Sequence, residues 1–99
     1  MSVVRGTRDA DGDGTAVVTA TGDKNLEIDW IQLQNKGAAD VTVKLKFGST
    51  EIYDALLPAG VGVIPGLPKE LRVSAANAAL YVNLSAAVAV YYQIVYRLV

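Results

Sequence analysis

Apolar and polar residues alternate with a period of two along most of this chain, and no stripe of helical period runs for a useful length. From Asp40 to Phe47 the pattern is strict. Val41, Val43, Leu45 and Phe47 fall on one face, and Thr42, Lys44 and Lys46 on the other. A strand with one face on a core and one in water requires this alternation. Lys24 to Asn35 predicts a second strand. Leu26, Ile28 and Trp30 share one parity against Glu27 and Asp29, and Ile31 and Leu33 then carry the apolar positions on the other. Such a switch requires either a bulge that shifts the register or burial of both faces. In phase with Leu26 and Ile28, Trp30 is expected to pack in the core.

The same reasoning predicts β-rich segments over Ser2 to Thr7, Thr15 to Thr21, Glu51 to Leu57, Glu70 to Ser74, Leu80 to Leu84 and Val88 to Leu98. Turn chemistry separates them: Asp9-Ala-Asp-Gly-Asp-Gly14, Asn35-Lys-Gly-Ala-Ala39, Gly48-Ser-Thr50 and Pro58-Ala-Gly60. Gly60 to Pro68 is a short irregular strand or loop that exposes apolar residues. Ala75 to Ala79 is long enough for one helical turn. About eight short strands at such spacing indicate an all-β sandwich or barrel. The length, 99 residues, suits one domain spanning 1–99, with residues 1–14 as an N-terminal strand and acidic turn.

In the last strand both faces are apolar or aromatic. Val88, Val90, Tyr92, Ile94, Tyr96 and Leu98 have one parity; Tyr91, Val95 and Val99 lie among the other. One sandwich layer covers one face, so the second face predicts a subunit contact. Val61, Val63, Ile64 and Leu67 sit among glycines and prolines, where a monomer would leave them wet. The 52% hydrophobic composition is high for so small a domain and points the same way. These seven residues, Val61, Val63, Ile64, Leu67, Tyr91, Val95 and Val99, form the expected interface with another chain.

Composition narrows the chemistry. Without cysteine or histidine the chain has no thiolate ligand or nucleophile, and it lacks the commonest general base. A net charge of −1 gives no field for nucleic acid or an acidic membrane. The longest apolar stretches are too short to span a bilayer as a helix, and Met1 to Arg5 has no secretory-signal pattern, so a soluble, non-enzymatic chain without cofactor is expected. Asp9, Asp11 and Asp13 mimic the first half of a calcium loop, but Ala20 stands where such a loop needs a bidentate glutamate. A solvated hairpin turn is the expected reading, and no metal is assigned. Glu27 and Asp29, two apart on a strand, are expected on a solvated face. Lys44 and Lys46 are expected to keep a sheet face soluble.

The run Leu80-Tyr-Val-Asn-Leu-Ser-Ala-Ala-Val-Ala-Val90, followed by Tyr92-Gln-Ile-Val-Tyr96, resembles the end of small structural proteins of tailed bacteriophages. Those close on a similar Leu-x-Leu-x-Leu-Ser-Ala-Ala-x-x-Val run and a Tyr-containing strand. Lys24 to Gln34 resembles their first long strand, and Leu56-Leu-Pro-Ala-Gly60 their Leu-Pro-x-Gly break; the similarity covers about residues 15–99. The resemblance implies an eight-stranded antiparallel jelly roll. It also implies a capsid decoration, or cement, protein on the virion surface, acting as a homotrimer on the major capsid protein. The alternative it implies is a receptor- or carbohydrate-binding module of a fibre. It supplies no catalytic residues. The acidic turn and the tyrosine-rich end depart from its pattern.

Overall fold

The computed structural model describes residues 1–99. Seven strands and one helical turn follow in order: β1 (Ser2–Arg8), β2 (Leu26–Asn35), β3 (Val41–Phe47), β4 (Thr50–Leu57), β5 (Gly62–Val63), α1 (Lys69–Arg72), β6 (Leu80–Leu84) and β7 (Val90–Leu98). They form two antiparallel sheets, of order β1-β7-β2-β5 and β4-β3-β6. The fold is thus mostly β and compatible with an all-β sandwich.

The alternation places the core. Val41, Val43, Leu45 and Phe47 of β3 are buried, as are Leu80, Val82 and Leu84 of β6; they face Leu26, Ile28, Ile31 and Leu33 of β2 and Val90 and Ile94 of β7. Burying one such aliphatic side chain is worth about 1.5–3 kcal/mol. The two-residue turn between β3 and β4 begins at Gly48, whose φ of 60° lies where glycine is favoured in a tight hairpin.

Three sequence expectations are corrected. Glu70 to Ser74 is not a strand. Pro68 fixes its own φ at −64°, and the helix-forming run Lys69 to Arg72 makes one turn behind it. Only Val73 bridges to a strand, at Glu27. Ala75 to Ala79 is not helical, because Asn77 takes a left-handed φ of 59° and its N–H bonds the Lys24 carbonyl. Thr15 to Thr21 is not a regular strand either. Gly12 and Val18 each bridge to β6, at Leu84 and Leu80. Between them Gly14 lies against the Arg8 guanidinium, where a Cβ would not fit. Residues 12–18 therefore cover the free side of β6 as a broken edge.

The ends of the sandwich are closed by buried polar groups. Asn35 is fully buried. Its amide nitrogen donates to the Ala39 and Leu57 carbonyls at 2.8 and 2.9 Å, and its oxygen accepts from the Gly37 N–H at 2.8 Å. Ser74 Oγ accepts from the Leu26 N–H at 2.8 Å and donates to the Ala75 carbonyl at 2.7 Å. No helix is long and apolar enough to cross a membrane.

Candidate functional site

The outer face of the four-stranded sheet concentrates the candidate residues, and a bulge in β2 creates it. The β2–β7 register shifts between Ile28 and Trp30. Asp29 is the extra residue, so Asp29 and Trp30 both turn outward while Ile28 and Ile31 stay buried. This corrects the core placement of Trp30: it is 37% exposed.

Cross-strand pairing then builds rows on this face. Val95 pairs with Val3 on one side and Trp30 on the other. Directly opposed side chains in an antiparallel sheet sit about 4.5–5.5 Å apart at Cβ, so the three form one apolar row. Val3 is 49% exposed. The next rows are polar. Arg5, Gln93 and Gln32 form one, and Thr7, Tyr91 and Gln34 the other. The Tyr91 hydroxyl donates to Gln93 Oε1 at 3.2 Å.

On the opposite flank Arg97 grips two carboxylates. Its Nε lies 2.8 Å from Glu27 and its Nη2 3.0 Å from Asp29. Glu27 and Asp29 are therefore not the openly solvated pair that the alternation predicts; the bulge brings both under one guanidinium. A fork of donors holding two carboxylates is a rigid arrangement. One positive charge against two carboxylates leaves a net negative flank beside Trp30, while Arg5 stands on the row at the other side.

The structure does not gather the seven expected interface residues into one patch. Tyr91 and Val95 share the outer face. Val99 is exposed beyond the end of β7, where its backbone pairs with Asn25. Val61 and Ile64 are exposed at the opposite, β5 edge, whereas Val63 and Leu67 are half-buried against the core. Sequence reasoning missed Val3 and misplaced Trp30. The parity switch after Ile28 is the signal that locates Trp30, since a bulge at Asp29 turns it outward.

The acidic turn is held by one ion pair and by side-chain hydrogen bonds. Arg8 Nη2 donates to the Asp11 and Gly12 carbonyls at 3.1 and 2.7 Å. Asp13 accepts from Asn83 at 2.7 Å and from Lys46 Nζ at 3.1 Å. The Asn83 and Lys46 bonds hold its carboxyl below the ordinary value. Asp13 is thus turned toward the three-stranded sheet, and Asp9, Asp11 and Asp13 do not converge: no group of three carboxylates close enough for a metal occurs. Lys46 holds Asp13, and Lys44 lies 3.6 Å from Glu51. No family model, curated protein or solved structure matches this chain.

Proposed function

We propose that this chain is a virion structural protein of the capsid-decoration type. It binds rather than catalyses, and it associates with copies of itself and with the major capsid protein to stabilise the shell from outside. The observation that carries the reading is the Val3–Val95–Trp30 row, in which Val3 and Trp30 are exposed on either side of a half-buried Val95, on an otherwise polar or charged face. An apolar row framed by polar groups has the anatomy of a subunit contact. A protein that binds only the assembled shell stabilises it by mass action, and many copies on one particle act together. The homotrimer and the phage context rest on the resemblance of the C-terminal third.

The proposed topology is a jelly roll, with residues 12–18 counted as an eighth strand. What supports it is the order of pairing along the chain. The first strand pairs with the last (β1 with β7), and the second with the seventh (12–18 with β6). The third pairs with the sixth (β2 with β5), and the fourth with the fifth (β3 with β4). One long antiparallel ribbon rolled into two sheets produces this order.

Trp30 is the only tryptophan, so it reports on the contact directly. On raising concentration, its emission should shift to the blue as light scattering records a higher mass. Val95→Lys puts a charge in the middle of the row and leaves the core face untouched. Loss of about 2 kcal/mol of apolar burial per subunit corresponds to roughly 30-fold weaker association. A wild type that stays monomeric both free and in the presence of shells would end this reading.

A further inference from the structure

We infer that a cleft in the seam between the two sheets, on the side of β1, is a binding site for a neutral polyhydroxylated ligand of the saccharide class. The inference goes beyond the assembly reading and does not depend on it.

The cleft holds about 320 Å³ and lies between the end of β1 and the segment 15–17. That volume is at the small end for ligand sites, which suits one or two rings. Tyr92 forms one wall, Asp9 and Thr15 are the polar lining residues, and Val17 forms the floor beside the core, while Thr7 lines the cleft from the end of β1 with its side chain on the outer face.

Tyr92 has the core-facing parity of β7, between Val90 and Ile94, yet its ring reaches outward across β1. The strand yields at Gly6, which pairs with Tyr92. A Cβ at Gly6 would lie 2.8 Å from the Tyr92 hydroxyl oxygen, closer than such atoms approach. Glycine there lets the phenol pass over the strand and into the seam.

The hydroxyl makes no hydrogen bond within the chain, and neither do the side chains of Asp9 or Thr15. Asp9, Thr15 and the Tyr92 hydroxyl thus bring unspent hydrogen-bonding capacity to one cleft. Their chemistry selects the ligand. A carboxylate accepts from two neighbouring hydroxyls at once, threonine and tyrosine hydroxyls both donate and accept, and a ring face takes the C–H side of a pyranose. The Arg8 charge beside Asp9 leaves the lining balanced, which suits a neutral ligand; Arg8 Nη2 bonds the carbonyls of Asp11 and Gly12, and its Nε is buried without a partner. One carboxylate is too few for a metal ion.

Nitrogen-15 spectra of the full chain, titrated separately with methyl α-glucoside, methyl α-galactoside, methyl α-mannoside and sodium phosphate, test the site. At least one pyranoside should give saturable shifts confined to Thr7, Asp9, Thr15, Val17 and Tyr92, with a Kd on the order of millimolar, as a shallow site allows. Asp9→Ala should weaken binding about tenfold and Tyr92→Phe about fivefold. Gly6→Ala should also weaken it, by pushing the flexible end of Tyr92 aside, while the rest of the spectrum shows an unchanged fold. Absence of saturable shifts with all three pyranosides overturns the inference. So does preferential binding of phosphate, or binding that survives both Asp9→Ala and Tyr92→Phe.

Discussion

Removing the Asn35 side chain should cost more stability than any other polar truncation in this chain. The amide is fully buried and makes three hydrogen bonds, to the Ala39 carbonyl, the Leu57 carbonyl and the Gly37 N–H. Together they tie the end of β2 to the β2–β3 connection and to the end of β4. Each bond contributes about 1 kcal/mol net, and an orphaned buried partner adds about 1–3 kcal/mol. Asn35→Ala should therefore destabilise by about 3–5 kcal/mol, a large part of a stability of about 5–15 kcal/mol. In urea, with a slope of about 1.5 kcal/mol/M, the midpoint should fall by about 2–3 M with the slope unchanged. Asn35→Asp keeps the shape but turns a carboxylate oxygen toward two carbonyls. Burial and those carbonyls favour its protonated form, so this variant should be least stable at neutral pH and recover as pH falls. A midpoint shift worth less than about 1 kcal/mol for Asn35→Ala would refute the clamp.

Asp13 gives a pH dependence of opposite sign. Its carboxyl is held below the ordinary value by Asn83 and Lys46, so its contribution is complete above the unfolded-state pKa and disappears as pH falls through the lowered one. The stability gap between wild type and Asp13→Ala, followed by denaturation across pH, should be constant near neutrality and close in acid; a gap that widens in acid contradicts the pairing. Ser74→Ala leaves the Leu26 N–H without its side-chain acceptor and should cost about 1–3 kcal/mol in thermal unfolding. A neutral result would mean that water replaces the hydroxyl.

The strands with strict alternation were legible because one face had to be dry: β3, β6 and the first half of β2 lie as the period-2 pattern requires. The misses have local causes. Val73 and Leu71 suggested a strand, but Pro68 precedes four helix formers and a turn of helix won. Residues 15–21 have strand composition, yet Gly14 packing on Arg8 bends the chain, leaving only the bridges at Gly12 and Val18. The outer face was half legible. Val95 follows from β7 alone, whereas Val3 and Trp30 join it only through pairing across three strands, which no single segment encodes. The cleft at Tyr92 was not legible at all. It depends on a glycine of β1 lying opposite a tyrosine more than eighty residues away along the chain.

The sheet edges lead to the last prediction. A strand edge presents unpaired N–H and C=O groups that recruit another strand unless it is blunted. Three of the four edges are blunted. β5 is two residues long, with Pro65 two residues after its end. Residues 12–18 cross the free side of β6. The β4 edge is interrupted by a register shift opposite Leu45 and Lys46 and carries Glu51 and Asp54. β1 runs seven residues with an unbroken register to β7 and nothing paired on its free side, and of its charges only Arg5 stands mid-strand. It is also the edge at which Val3 ends the apolar row. If assembly uses that row, the contact should continue onto the open edge, because a subunit covering Val3 excludes water from the β1 backbone beside it. In an antiparallel edge strand about half of the amides point away from the neighbour and exchange quickly with solvent. Hydrogen exchange on assembled and dilute samples should show those β1 amides slowing in step with the blue shift of Trp30, while exposed amides on β4 stay fast. Slowing at β4 with β1 unchanged would place the contact on the other sheet and remove the Val3–Val95–Trp30 row from it.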